Sequence, residues 1–201
     1  MTGRAASNAE RESFKRYLDL LLLWNRTHRM TALRSPAEIG RLLFQDSLLL
    51  LPLLPRGLIR IVDIGAGAGF PGMPLRIVEP RIKLTLIEAR RKRVSFLAAL
   101  KRELDLDGVE VLEGRAEDLL KQHPDLSGEF DVAMSRAVSQ TRGFLAAAAS
   151  YLKPGGLFIA PGPPKPGSLP KTPPTLTARW TRVPYPDLGL TRSFLMATRN
   201  P

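Results

Sequence analysis

An apolar run passes directly into a glycine-rich turn in the segment Ile61-Val62-Asp63-Ile64-Gly65-Ala66-Gly67-Ala68-Gly69-Phe70-Pro71-Gly72. Glycine permits positive φ angles, and a ligand can approach its backbone closely because no Cβ stands in the way. In an open α/β sheet a turn of this kind lies at the carboxyl end of a strand, where ligands bind. The segment therefore predicts a strand, a ligand-binding turn and the beginning of a helix.

The residues around the glycines bear on which ligand the turn binds. The glycine spacing satisfies the G-x-G-x-x-G pattern of a dinucleotide site, but that match is weak by itself. Asp63 stands at the end of the strand, where a carboxylate would repel a diphosphate but can orient the ammonium of a methionyl group. We also expect Pro71 with Pro74 to disrupt the helix start that would face a pyrophosphate. Asp-x-Gly-x-Gly-x-Gly is the pattern of S-adenosylmethionine enzymes, and it assigns that cofactor to Asp63, Gly65, Gly67 and Gly69.

Two later positions fit a nucleoside-type ligand. Glu88 ends the second predicted strand, where an acidic side chain accepts hydrogen bonds from ribose hydroxyls; the alternative is an ordinary glutamate at a strand end. The segment Gly114-Arg115-Ala116-Glu117-Asp118 follows the third strand, where the loop of a nucleotide site would pass the adenine. These residues fit a simple helix start equally well. Neither position separates an adenosyl cofactor from NAD.

Short apolar runs alternate with helical patterns around and after the turn. Strands are predicted at 59–64, 83–88, 109–113, 130–135 and 157–160. Helices are predicted between them at 74–79, 91–104, 117–122 and 141–151. This alternation is typical of a parallel sheet covered by helices on both faces.

The end of the chain follows a different pattern. Lys153-Pro154-Gly155-Gly156 predicts a turn before the fifth strand, and residues 161–174 are so rich in proline and glycine that we expect an extended loop. Two last strands are predicted at 178–183 and 193–199. The turn that joins them contains Pro184, Pro186 and Gly189.

Two helical patterns precede the first strand. Ser35 with Pro36 and Glu38 fits a capping box with a proline in the first turn, which predicts a second helix through about residue 51. The first helix is predicted at 6–24, where apolar residues recur at helical spacing at Phe14, Tyr17, Leu18, Leu21 and Leu22. We expect residues 1–56 to form a helical extension packed on a core of residues 57–201.

Composition limits the possible classes of protein. A chain of 201 residues with 44% hydrophobic residues suits one domain with a real core. It has no cysteine, which excludes disulfides, thiolate metal sites and a cysteine nucleophile. His28 and His123 are isolated from acidic clusters, so we predict no metal site. We find no membrane-length apolar run and no signal pattern, so we expect a cytoplasmic protein with no membrane partner. We also expect a monomer.

The net charge of +11 favours a polyanionic partner, nucleic acid above all. The alternative is an arginine-rich composition inherited from a GC-rich or heat-adapted genome. The arginines are spaced through folded segments rather than one tail, which favours a basic face. The candidate RNA contacts on that face are Arg26, Arg29, Arg91 and Arg93.

The segment after the fourth strand narrows the chemistry. It reads Met134-Ser135-Arg136-Ala137 rather than Asn-Pro-Pro-Tyr or Asp-Pro-Pro-Tyr, the motif typical of methylation at an exocyclic base nitrogen. Methylation at C5 of a pyrimidine needs a cysteine nucleophile, which this chain lacks, so both of these reactions are disfavoured. The N7 of guanine has a free lone pair and no proton, so positioning without a general base permits its methylation, although nothing in the residues selects this reaction.

Arg136 could bind a cofactor carboxylate or a substrate phosphate, or it could form a plain salt bridge. A methyltransferase for a small molecule or protein, and an NAD-dependent oxidoreductase, stay open.

Taken together, these motifs resemble the RsmG (GidB) family of bacterial small-subunit rRNA methyltransferases. The resemblance covers nearly the whole chain and is carried by Trp24-Asn25, Met30-Thr31, Asp46-Ser47, the Gly-Ala-Gly-Phe-Pro-Gly turn, Lys92-Arg93-Val94, Phe96-Leu97, Gly114-Arg115-Ala116-Glu117, Ser135-Arg136-Ala137 and Lys153-Pro154-Gly155-Gly156. It implies a class I S-adenosylmethionine-dependent methyltransferase fold, Rossmann-like, with a mostly parallel seven-stranded sheet. It also implies methylation of N7 of a guanine in 16S rRNA. Cofactor contacts carry over to Gly65, Phe70, Ala116, Glu117 and Arg136.

The chain departs from the family pattern at three positions. Leu43 replaces a usual histidine, Arg29 replaces an asparagine, and Pro161 replaces the lysine of a lysine-glycine pair. Lys165, four residues after Pro161, is a candidate substitute for that lysine and an RNA contact. The departures leave the predicted cofactor site intact and bear on the RNA target.

Overall fold

The structure, a computed structural model, describes residues 5–136, 141–185 and 189–201. A seven-stranded sheet with the order β3-β2-β1-β4-β5-β7-β6 forms its centre. The strands are β1 (Ile59–Ile64), β2 (Ile82–Glu88), β3 (Val109–Glu113), β4 (Phe130–Met134), β5 (Leu152–Pro161), β6 (Leu176–Tyr185) and β7 (Leu190–Arg199). Strands β1 to β5 pair in parallel, whereas β7 is antiparallel to both β5 and β6. The predicted Rossmann-like α/β fold with a mostly parallel sheet is confirmed.

Helices cover both faces of this sheet. They are α1 (Asn8–His28), α2 (Pro36–Ile39), a π-helical segment (Gly40–Gln45), α3 (Asp46–Leu48), α4 (Gly72–Val78), α5 (Arg91–Glu103), α6 (Ala116–Gln122) and α7 (Arg142–Tyr151), with short 3₁₀ turns at Leu51–Leu53 and Pro124–Leu126. One apolar cluster contains side chains of α1, α4 and α5, and a second, on the other face, contains those of α6 and α7. No helix in the described residues is both long and apolar enough to cross a membrane.

The first helix is longer than its predicted span of 6–24. Ser7 caps it in a capping box: the Ser7 Oγ accepts a hydrogen bond from the Glu10 amide at 3.2 Å, and the Glu10 carboxylate accepts one from the Ser7 amide at 2.7 Å. The helix ends at His28, and Arg29 follows in the left-handed region with φ 48°. Tyr17 and Leu21 face the core, as their spacing indicates.

The second predicted helix is partly wrong. The structure ends it at Leu48 rather than near residue 51, and its middle is π-helical. The Ser35 side chain makes no capping hydrogen bond, so the predicted capping box does not form at Ser35. The wider π turn shifts the helical register, and the helix buries Phe44 while its Asp46 pairs with Arg136. A regular periodicity cannot predict that shift.

Two prolines do not disrupt the helix after the glycine turn, contrary to our prediction. Helix α4 begins at Gly72, with Pro71 at its N-cap and Pro74 in its first turn. Amide groups in the first turn have no partner within a helix, so a missing N–H there costs little. This argument against a dinucleotide therefore fails, and the choice of ligand depends on the other residues of the site.

The fifth strand begins earlier than predicted. It follows α7 directly, with Leu152 paired to Phe130 and Leu157 paired to Val132. The predicted Lys153-Pro154-Gly155-Gly156 turn is a bulge inside this strand rather than a connection before it. Strand β6 extends beyond its predicted span at both ends, and β7 begins earlier than predicted. Pro186 of their connecting turn lies outside the described residues.

Candidate functional site

The glycine turn exposes its backbone at two positions. Gly65, Gly67 and Gly69 have φ angles of 74°, 62° and 92°, and the amides of Gly65 and Ala66 donate to the Ile87 carbonyl at 2.8 and 3.0 Å. A Cβ on Gly67 would meet only Arg93 Nη1 and the Gly65 carbonyl, each at 3.8 Å. Since Gly65 and Gly67 are half-buried rather than buried, a ligand can reach their backbone.

Gly69 and Phe70 lie on the inner side of the turn. A Cβ on Gly69 would stand 2.6 Å from Tyr17 Oη, so this glycine is required by packing against α1. The Phe70 ring stacks on Tyr17 with centroids 5.2 Å apart and meets Phe44 edge-on at 5.3 Å. The Phe70 side chain is thus packed within the protein, and Gly69 and Phe70 are both buried, so their contact with a cofactor stays a prediction.

Tyr17 is a residue of the site that the sequence did not reveal. Its hydroxyl, fully buried, donates to the Ala68 carbonyl at 2.5 Å and so attaches α1 to the glycine turn. Burial, together with the nearby Asp63 charge, raises the pKa of Tyr17 well above its ordinary value, which keeps the hydroxyl a donor. Helical spacing predicted that Tyr17 faces the core but did not predict its partner.

Asp63 is fully buried, and only one of its two carboxyl oxygens accepts a hydrogen bond from the described residues. Its Oδ2 accepts a hydrogen bond from the Gly72 amide at 2.9 Å, while its Oδ1 has no partner. Burial raises the pKa of Asp63 to about 8, and the Glu88 charge adds to this, whereas the Gly72 amide and Arg136 oppose it. A buried carboxylate oxygen without a donor is unfavourable. The site therefore suits a ligand that brings a cationic donor to Asp63.

Glu88 lies at the end of β2, directly beside the turn. Its Oε2 accepts from the Gly67 amide and its Oε1 from the Arg90 amide, both at 2.9 Å. Each carboxylate oxygen accepts more than one hydrogen bond, so the group has capacity left for ribose hydroxyls. Arg93 Nη1 lies 3.8 Å from Glu88 Oε2. The structure thus places Arg93, which we predicted as an RNA contact, against the glycine turn.

The segment after β3 borders the same site. The Gly114 amide donates to the Glu88 carbonyl at 3.1 Å, which brings the start of α6 beside the second strand. Ala116 is buried, and its carbonyl accepts from the Tyr151 hydroxyl at 2.7 Å. Glu117 is exposed. Of these two predicted cofactor residues, Ala116 is therefore packed within the protein, whereas Glu117 is exposed at the surface.

Arg136 follows β4 and is held by the helical extension. Its Nη2 donates to Asp46 Oδ2 at 3.1 Å and also to the Leu42 carbonyl. Asp46 Oδ1 lies 2.9 Å from Nε of Arg192 in β7. Burial lowers the pKa of Arg136, while the Asp46 charge counteracts that effect. The salt bridge that we left open for Arg136 is present, and Asp46 and Arg192 are members of the site that we did not predict. Ala137 lies outside the described residues.

Two of the predicted RNA contacts line one cleft. Arg26 and Arg29 line a cleft of about 460 Å³ at the end of α1, with Leu22, Asn25 and Arg34. Arg91 is exposed at the beginning of α5. Lys165 is exposed in the proline-rich loop, which is attached to β6 by a hydrogen bond from Trp180 Nε1 to the Gly167 carbonyl at 3.1 Å. The described residues contain no group of three or more His, Cys, Asp or Glu side chains placed to bind a metal.

Comparisons with known proteins connect this geometry to one family. Residues 10–161 match the GidB family, described as rRNA small subunit methyltransferase G. The "Ribosomal RNA small subunit methyltransferase G" of Streptococcus pneumoniae strain R6 is 39% identical over 156 residues, which cover 77% of this chain and 65% of that protein. The protein of the same name in Streptococcus equi subsp. zooepidemicus strain H70 is 39% identical over 160 residues, 79% of this chain and 67% of that one. The chain therefore spans about two thirds of the length of these relatives.

Solved structures show the same fold at low sequence identity. An S-adenosylmethionine-dependent methyltransferase from Aquifex aeolicus has a TM-score of 0.62 at 16% identity, covering 85% of this chain and 97% of its own. A putative O-methyltransferase from Klebsiella pneumoniae has a TM-score of 0.61 at 18% identity, covering 98% and 92%. At such identities the similarity establishes the fold alone.

Proposed function

The chain belongs to the rRNA small subunit methyltransferase G family, and we propose that it transfers the methyl group of S-adenosylmethionine to N7 of a guanine in 16S rRNA. The observation that carries the proposal is the buried Asp63, whose Oδ1 has no donor beside a turn with an open backbone. That arrangement favours an amino-acid ammonium over a diphosphate, because a cation stabilises the ionised form of the buried carboxyl, whereas a diphosphate would bring further negative charge to it.

The chain's own residues match the parts of the cofactor one by one. Gly65 and Gly67 leave the backbone of the turn open, and Asp63 would accept a hydrogen bond from the cofactor ammonium. Glu88 would accept hydrogen bonds from the ribose hydroxyls, and Arg136 would donate to the carboxylate. When bound, S-adenosylmethionine supplies an electrophilic methyl group on a sulfonium.

The target atom explains why the site can work by positioning. The N7 of guanine has a lone pair in the plane of the ring and no proton to remove, so no general base is needed. Holding that lone pair in line with the methyl group is the protein's main task, and orientation of this kind can supply roughly 7–11 kcal/mol of the barrier. Asp63, Glu88 and Arg136 then serve to bind and orient.

RNA binding is the proposed role of the basic surface. Arg26, Arg29 and Arg34 line one cleft, and within the described part of the chain none of their side chains forms an ion pair or hydrogen bond. Unpaired exposed guanidinium groups are free to bind phosphates. Arg91 and Lys165 are both exposed, and we propose them as further phosphate contacts. The proposed partner is 16S rRNA or the small ribosomal subunit.

The direct test is methyl transfer to ribosomal particles. The protein is incubated with labelled S-adenosylmethionine and small subunits from a strain that lacks this family's enzyme, and large subunits serve as the control substrate. We expect label in 16S rRNA, and chemical cleavage specific for N7-methylguanine at one nucleotide. Label in protein alone, or cleavage at no guanine, would reject the proposed substrate. A parallel thermal-shift comparison should show stabilisation by S-adenosylmethionine and none by NAD.

A further inference from the structure

We propose that Asp46 is a positioning residue, which holds the guanidinium of Arg136 in the orientation that binds the carboxylate end of the methyl donor. The inference rests on the proposed function, because it concerns the same cofactor site. Asp46 belongs to the helical extension and Arg136 follows the carboxyl end of the central strand β4, 90 residues away in sequence. The extension would therefore be part of the cofactor site rather than a separate cover.

The Asp46 carboxylate lies between two guanidinium groups. It contacts Arg136 Nη2 at 3.1 Å through Oδ2 and Arg192 Nε at 2.9 Å through Oδ1, and the side chain of Asp46 is only 15% exposed. Two guanidinium groups this close repel each other, and more strongly where water is partly excluded. The carboxylate offsets that repulsion. Without its charge, Arg136 and Arg192 should move apart.

The contacts to Asp46 leave part of Arg136 available. Asp46 and the Leu42 carbonyl both accept from Nη2, and among the described residues Nε and Nη1 take part in no hydrogen bond. A guanidinium has five N–H donors, so a second face remains for a ligand. The Arg136 charge also acts on Asp63, since it opposes the rise in the pKa of that carboxyl.

Arg136 and Asp63 together match the amino-acid end of the donor. An α-amino acid has an ammonium and a carboxylate on one carbon, and the site has a carboxyl with an unpartnered oxygen and a guanidinium with free donors whose charge acts on that carboxyl. A bidentate arginine–carboxylate pair depends on the angle of the guanidinium plane as well as on its charge. Asp46 would set that angle from the extension.

The test compares two ligands that differ in this end alone. S-adenosylhomocysteine has the ammonium and carboxylate, whereas 5′-methylthioadenosine lacks both, and calorimetry gives the affinity of each. For Asp46→Asn we expect the preference for S-adenosylhomocysteine to fall roughly tenfold, the value of one hydrogen bond to a charged group. The affinity for 5′-methylthioadenosine should stay unchanged, which also shows that the variant is folded.

The sign of the change separates positioning from other roles. If Asp46 merely neutralised Arg136, its loss would strengthen binding of the carboxylate, and the preference would rise. If Asp46 were purely structural, both affinities would fall together and the preference would persist. Either result would overturn the inference. In Asp46→Asn with Arg136→Gln, the preference should fall no further than in Arg136→Gln alone, because the two residues act as a unit.

A matched control is available at the other end of β4. Asp131 forms an ion pair with Lys153 at 2.7 Å and is 27% exposed, so Asp131→Asn removes a comparable contact away from the turn. We expect both affinities to match those of the wild type. A wild-type protein that binds neither ligand would reject the proposed function itself. A wild type that binds both equally would reject the role of Asp46 while leaving an adenosyl site in place.

Discussion

A methyl group added at Gly69 should destabilise the protein far more than the same methyl added at Gly67. The two glycines belong to one turn and both have positive φ angles, 92° and 62°. Alanine at either position therefore bears backbone strain of roughly 1–2 kcal/mol. Only at Gly69 would the new Cβ also collide, at 2.6 Å from Tyr17 Oη and 2.9 Å from Met73 Cγ.

The collision sets the size of the difference. Overpacking a filled interior costs about 1–3 kcal/mol, so we expect Gly69→Ala to lose about 2–5 kcal/mol and Gly67→Ala about 1–2 kcal/mol. Urea unfolding followed by circular dichroism measures both, provided that the m-value stays constant. For a chain of this size each kcal/mol lowers Tm by roughly 2–4 °C.

Ligand binding should show the reverse order. At Gly67 the nearest atoms to a new Cβ are 3.8 Å away, so the methyl would stand in the open space of the turn. We expect Gly67→Ala to weaken binding of S-adenosylhomocysteine about tenfold or more, equivalent to about 1.4 kcal/mol, with a modest loss of stability. This contrast between stability and affinity is the measurement that distinguishes the two sides of the turn.

Tyr17→Phe provides the internal check. By itself it should cost about 1–3 kcal/mol, because the buried Ala68 carbonyl loses its donor. In combination with Gly69→Ala it also removes the colliding oxygen, so the double variant should be more stable than the sum of the two losses by about 1 kcal/mol. Strict additivity, or equal stability of the two alanine variants, would refute the packing of α1 against the turn.

The remaining predictions concern charged residues of the cofactor site and of the basic cleft. Burial raises the pKa of Asp63 to about 8 from 3.8, so its contribution to the free energy of unfolding is greatest below about pH 4 and is lost as the pH rises through about 8. Because the ligand ammonium pairs with the ionised carboxyl, the affinity for S-adenosylhomocysteine should rise by up to tenfold per pH unit between about pH 6 and 8. A pH-independent affinity in the wild type, or an unaltered dependence in Asp63→Asn, would contradict this. Glu88→Ala should weaken the same ligand roughly tenfold and leave the variant folded, as checked by calorimetry and circular dichroism; unchanged affinity would remove Glu88 from the ribose site. Replacing Arg26, Arg29 and Arg34 with glutamine should reduce the slope of log affinity for rRNA against log salt by about two to three units. The control variant Arg56→Gln, at an exposed arginine before β1, should keep the wild-type slope.

Local patterns were sufficient to predict the parts of the fold whose side chains alternate regularly. Strands β1 and β3 have the predicted bounds, and the other strands and most helices of the core lie where their periodicity placed them. The regular alternation works because each of these elements buries a face against the same sheet. It fails at Gly40–Gln45, where a π-helical turn changes the register, and at the bulge inside β5.

The sequence by itself determined that a glycine turn follows a buried strand, that Asp63 ends that strand and that Glu88 ends the next one. These facts are local, since each depends on residues within one or two elements of the chain. Tertiary structure alone decided the partners: Tyr17 with Ala68, 51 residues away, and Asp46 with Arg136, 90 residues away. Periodicity tells which face of a helix is buried, but the packing of the extension against the carboxyl ends of the central strands decides which atoms that face meets.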